Sequence, residues 1–163
     1  MDPRIPTSHR VSYALGYLAL GLSCEAAEEL AAIAPRDQAS QPVVTVWVEV
    51  NMERQRWLEV IGHARQLASI APAQERGWIA WAYALRELQR TEEAREVLLK
   101  AEPLHGDECA LLHFNLACYE SLLGRFAEAR RRLALAFEID PSYRAEAETD
   151  PDLQPLREAG GWA

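Results

Sequence analysis

The stretch Phe114-Asn115-Leu116-Ala117, continued by Leu123-Gly124-Arg125, Glu128-Ala129, Ala136 and Asp140-Pro141, decides the fold. Apolar and small residues recur along it at helical spacing. Gly124 divides it into two helices by permitting a left-handed cap, and Pro141 stops the second. The same pattern runs upstream. Gly or Gln, then Ala or Val five residues later, stands at Gly21/Ala26, Gln55/Val60, Gln89/Ala94 and Gly124/Ala129, at steps of 34, 34 and 35 residues. A constant period of this length indicates one helical hairpin used four times and stacked on itself.

The hairpins read as residues 8–38, 42–72, 74–106 and 107–141. Their first helices are expected over 8–20, 43–54, 74–89 and 107–123, and their second helices over 24–34, 56–70, 91–102 and 125–139. Ser23 and Thr91 are placed to accept backbone N–H bonds at helix starts. Pro35, Pro72, Pro103 and Pro141 are expected to stop the second helices, those of hairpins one and three about one turn early. Ala14, Ala82 and Ala117 on first helices face Ala26, Ala94 and Ala129 on second helices, so the two backbones approach closely. Hairpin two differs: Val48 and Val60 take the close positions, and small Ala64 stands where the others have Leu30, Leu98 and Leu133, a volume exchange within one hairpin. Residues 142–163 form a C-terminal cap in which Tyr143, Leu153 and Leu156 cover the last apolar face.

The composition agrees. Hydrophobic residues make up 49% of the 163, enough to exclude disorder over most of the length. A formal net charge of −8 argues against a nucleic-acid binder, which needs clustered Lys and Arg. Cys24, Cys109 and Cys118 are odd in number and contain no CxxC, so a disulfide framework is not expected and a cytoplasmic setting is. The apolar run Val11 to Leu22, with Arg4 and Arg10 ahead of it and Cys24 after it, has the outline of a secretion signal. Asp2 weakens that outline, and the run falls in register with the first helices of the other hairpins.

Four such hairpins in phase resemble the tetratricopeptide repeat family, over about residues 8–141. The resemblance implies an all-α, right-handed superhelix in a single domain, whose first helices line a concave groove. Carried onto this chain, the inward positions are Val11, Leu15 and Leu18; Thr45, Glu49, Met52 and Glu53; Arg76, Ile79, Tyr83, Arg86 and Glu87; and Leu111, Phe114, Cys118, Ser121 and Leu122. Within that set Thr45, Glu49, Met52, Ile79, Tyr83, Arg86, Phe114 and Cys118 are the expected peptide-binding residues. Burying three or four apolar anchors at about 1.5–3 kcal/mol each, less the ordering of a flexible peptide, corresponds to roughly micromolar binding. The carboxylate clamp found in chaperone-binding members is not expected, because Val11, Thr45, Ile79 and Phe114 hold the corresponding positions and only Asn115 resembles a clamp residue.

Other chemistry is weaker. His105, Cys109 and His113 share a spacing of four, which on one helix face suits zinc, but Pro103 and Gly106 are expected to leave His105 in a loop, and His113 takes a packing position. No Gly-rich phosphate loop, HExxH or GxSxG is present, so an enzyme is not expected. Arg130-Arg131-Arg132, with Arg125 nearby, reads as a solvated outer face neutralised by Glu128 and the acidic tail. The expected function is a non-enzymatic interaction module that binds a protein or peptide partner, without cofactor, nucleic acid or membrane. The alternatives are a secretion-type chaperone holding an extended client, or a small-ligand or metal-binding protein. Homo-oligomerisation through the exposed first hairpin is a further expectation.

Overall fold

The computed structural model describes residues 5–162; Asp2 and Arg4 of the signal-like outline lie outside them. Ten α-helices and two short 3-10 turns make up the described residues, without a strand. They are α1 (Thr7–Ala19), α2 (Ser23–Ala31), α3 (Gln41–Glu53), α4 (Trp57–Ile70), α5 (Glu75–Glu87), α6 (Thr91–His105), α7 (Ala110–Leu122), α8 (Phe126–Ile139), α9 (Tyr143–Thr149) and α10 (Gln154–Glu158). Contacts group the chain into two compact units, residues 1–80 and 81–163, with the division falling inside α5.

The four hairpin turns are built alike. Gly21, Gln55, Gln89 and Gly124 all adopt left-handed backbone, at φ of 74°, 52°, 59° and 72°. In each, the N–H of the next residue returns to a carbonyl five residues back: Leu22 to Tyr17, Arg56 to Asn51, Arg90 to Leu85 and Arg125 to Glu120, all at 2.8–2.9 Å. This double-bonded C-terminal cap leaves few carbonyls unpaired and fixes where the second helix begins. It also makes side-chain caps unnecessary. Ser23 and Thr91, expected to cap, are instead the first helical residues of α2 and α6, and neither helix start carries a side-chain cap bond.

In the first unit α1 packs on α2 and α3 on α4 around fully buried Ala14, Ala26, Leu30, Val43, Val48, Val60, Ala64 and Leu67. The volume exchange expected of hairpin two is therefore realised in the core. The run Val11 to Leu22 forms α1 and its turn, and Cys24 lies exposed in α2. α2 is short, as Pro35 suggested: it ends at Ala31, and the Gln38 side chain donates to the carbonyls of Leu30 and Ile33 at 2.8 and 3.0 Å.

In the second unit Ala82, Ala94, Ala117 and Ala129 are fully buried, with Leu98, Leu112, Leu116 and Leu133 around them. Pro103 does not stop α6, which is the longest helix and runs on to His105; hairpin three therefore does not end early, and His105 is helical rather than in a loop. A proline in the last turn forfeits one hydrogen bond only. The turn is held from outside by Arg132, which donates to both carboxylate oxygens of Glu102. Residues 143–158 cap the last hairpin with Ala147, Leu153 and Leu156 fully buried. The 3-10 turn Pro151–Leu153 and α10 both pack on α7.

Candidate functional site

The expected groove residues fall into two sets, one in each unit. In the first unit α3 carries Thr45, Glu49 and Met52. Thr45 is half-buried, its hydroxyl donating to the Gln41 carbonyl at 2.9 Å. Glu49 receives two N–H donors of Arg76, both at 2.6 Å, so the pair presents a neutralised polar surface rather than a free carboxylate. Met52 is half-buried, and Ile79 on α5 is buried.

In the second unit α5 supplies Tyr83 and Arg86, and α7 supplies Phe114 and Cys118. Phe114 and Cys118 are buried. Part of what buries them is the chain's own C-terminal segment. The Tyr143 ring lies against Phe114 with centroids 4.9 Å apart. Arg86 donates through Nε to Asp152 at 2.6 Å and through a second nitrogen to its other oxygen. The Leu156 N–H donates to the Ser121 hydroxyl at 3.3 Å. Arg157 holds the segment's own turn by donating to the carbonyls of Ala147 and Asp150 at 2.8 and 2.9 Å. Tyr83 stays 39% exposed and Asn115 half-buried, so these two keep an open face.

Between α5, α7 and the C-terminal segment lies a cavity of about 280 Å³ lined by Tyr83, Glu87, Asn115, Tyr119, Asp150 and Asp152, together with Arg86 and Cys118. Burial pushes the Cys118 thiol well above its ordinary range, and the nearby charges of Asp150 and Asp152 add to this. Burial likewise raises the Tyr119 phenol. The sequence reading missed Tyr119, Asp150 and Asp152. Tyr119 falls outside the inward positions implied by the resemblance. Asp150-Pro151 was legible as a helix start, and Asp150 does accept the Asp152 N–H at 2.8 Å, but the tertiary fold alone brings it to α7.

His105, Cys109 and His113 form no ligand set. His105 ends α6 and Cys109 precedes α7. His113 is buried, with Nε2 2.8 Å from the Gly106 carbonyl and Nδ1 3.2 Å from a guanidinium nitrogen of Arg132. Because the arginine can only donate, Nδ1 accepts and Nε2 donates, which leaves no lone pair for a metal. Among the described residues no group of three or more His, Cys, Asp and Glu is arranged to hold a metal ion.

The arginine run also departs from the sequence reading. Arg132 is 4% exposed and ties Glu102, Glu128 and His113 together. Arg130 donates to the tail carbonyls of Gly161 and Ala159. Only Arg131, paired with Glu128, is an exposed outer residue. A second ion-pair cluster joins Arg95 and Arg125 to Glu120, which is fully buried. No helix of the described residues is long and apolar enough to cross a membrane.

Solved structures share this arrangement. MamA of MSR-1 superposes with a TM-score of 0.74 at 19% identity, over 87% of this chain and 81% of that one. A thermophilic TPR protein of Thermus thermophilus gives 0.72 at 20% identity, over 93% and 85%. The chain has the tetratricopeptide fold. YrrB, a TPR protein with an unusual peptide-binding site, gives 0.67 at 14% identity, over 92% and 82%. No protein-family profile and no curated protein sequence matches this tetratricopeptide-fold chain.

Proposed function

We propose that the chain is a non-enzymatic interaction module that binds an extended peptide segment of a partner protein. The observation that carries this is the exposure of an aromatic residue, Tyr83, at an inward position of a tetratricopeptide hairpin, where packing alone would bury it. The contact surface proposed is that of the second unit: Tyr83 and Asn115, bordered by Arg86. Phe114 and Cys118 act beneath it as support, because the C-terminal segment already covers them. The similarity to YrrB, which is described as having a peptide-binding site, favours the same use of the fold.

Phage display of random 12-residue peptides tests this. Peptides selected on the full chain are expected to bind the wild type and to be lost with Tyr83→Glu, while Leu58→Glu, at an exposed position of α4, leaves them bound. Each variant is first checked for native helicity by circular dichroism. Peptides indifferent to Tyr83→Glu would place recognition elsewhere. A chaperone-like use of the same surface predicts instead that selected sequences share only apolar character, with no fixed spacing.

A further inference from the structure

The cavity between α5, α7 and the C-terminal segment carries more charge than its packing requires. Arg86 is its one cation, against Glu87, Asp150 and Asp152. Asp152 takes both of its Arg86 contacts, and Glu87 takes a third donor of the same guanidinium at 3.2 Å. Asp150 is left with one backbone N–H on Oδ1 and, among the described residues, no ion pair. Its carboxyl is half-buried, and burial holds it above the usual carboxylate range.

A second, independent observation points the same way. Tyr119 is 2% exposed, lines the same cavity, and its hydroxyl has no hydrogen-bond partner among the described residues. An unpaired buried hydroxyl is a standing cost that a donor or acceptor entering the cavity would relieve. Tyr83 adds an exposed aromatic ring at the cavity wall, a surface on which a cation is attracted.

The carboxylates are not arranged around a metal ion. They suit a larger cation carrying several N–H donors. We infer that this cavity receives the basic side chain, arginine foremost, of the partner peptide. Its guanidinium would donate to Asp150 and to the Tyr119 oxygen while lying against Tyr83. A guanidinium is favoured over an ammonium because its flat fork can donate in two directions and stack at once. This rests on the groove reading above and names the chemistry of its ligand. Free polyamines share the ammonium chemistry and are separated by the test.

The test is a ¹⁵N–¹H NMR titration of the full chain with four probes: N-acetyl-arginine methylamide, the lysine and norleucine analogues, and putrescine. The arginine amide is expected to shift the amides of Tyr83, Tyr119 and Asp152 with a Kd of about 1 mM, the strength of a single side chain. The norleucine amide is expected to shift none of them. Asp150→Asn keeps the acceptor that caps Asp152 but removes the charge, and is expected to weaken arginine binding at least about fivefold. Tyr119→Phe is expected to weaken it about threefold without lowering the melting temperature, which a merely structural hydroxyl would not allow.

Equal shifts from norleucine, unchanged affinity in Asp150→Asn, or shifts confined to other residues would overturn the inference. Tighter binding of putrescine than of either amide would overturn the peptide source. If the amides fail while the displayed peptides still depend on Tyr83, the cavity assignment falls and the groove reading stands. If the amides bind but the peptides ignore Tyr83, the cation cavity is supported and the groove reading falls.

Discussion

Gly77 and Ala68 meet backbone to backbone: a Cβ on Gly77 would stand 2.7 Å from the Ala68 nitrogen and 3.2 Å from the Ala64 carbonyl oxygen. This is where the start of α5 lies down on α4. No flexible side chain can give way, because the atoms met are main-chain. Gly77→Ala is therefore expected to destabilise by about 1–3 kcal/mol through overpacking. Gly62, on the same α4, meets nothing within 4 Å. Gly62→Ala is expected to raise stability by about 0.5–1 kcal/mol through helix propensity. Urea midpoints of the two variants should move in opposite directions from wild type.

The turn positions make a second pair of opposite predictions. Gln89 holds left-handed backbone at φ 59°, a conformation that costs a side-chain-bearing residue about 1–2 kcal/mol. Glycine removes that cost but adds freedom to the unfolded chain. Gln89→Gly is expected to gain about 0.5–1 kcal/mol, and Gly124→Gln to lose a similar amount. Thermal melts followed by circular dichroism would show both signs. A loss in Gln89→Gly would mean that the glutamine side chain itself holds the turn.

These turns also mark what was legible in the sequence. The recurring Gly or Gln is the set of left-handed residues, and the paired alanines are the close contacts, because both are local consequences of one hairpin geometry. Pro103 misled because its helix is held by a residue 29 positions away, Arg132, rather than by its own last turn. Arg132 itself looked like surface because a run of three arginines says nothing about which one points inward. The groove was legible as a set of positions. Its covering was not: Asp152 reaches Arg86 and Leu156 reaches Ser121 across separations of 66 and 35 residues. No periodicity encodes a contact of that kind.

Acid should loosen the second unit. The carboxyl of Glu128 is lowered from 4.5 to about 2, chiefly by its bond to Arg131 and then by Arg132. Glu102 is also lowered, chiefly by its bond to Arg132. Both folded values lie below the unfolded ones, so this stability is fully present above about pH 4.5 and is lost as pH falls toward 2. Asp150, raised by burial, works in the opposite direction and partly offsets the loss. Glu128→Gln is expected to lower stability by about 1 kcal/mol at pH 6, since its partners are partly in water. Near pH 2 it should match the wild type. Urea titrations at pH 6, 4 and 2 check this, and curves that stay parallel would refute it.

The three thiols report whether the C-terminal segment is docked. Cys24 is exposed, Cys109 is intermediate and Cys118 is buried. Thiolate is the reactive form, and burial together with the charges of Asp150 and Asp152 disfavours it at Cys118. Iodoacetamide at pH 8 is therefore expected to alkylate Cys24 first and Cys118 last in the native protein, by peptide mass spectrometry. Asp152→Asn weakens the Arg86 tie and removes a negative charge near the thiol, so Cys118 should react several-fold faster. Truncation after Thr149 removes Leu153 and Leu156 as well and should bring its rate toward that of Cys24. A rate unchanged by both alterations would mean that α5, α7 and α9 protect the thiol without the residues that follow. Acceleration in the truncated chain, with helicity retained, would show that the segment is a separable cover over Cys118.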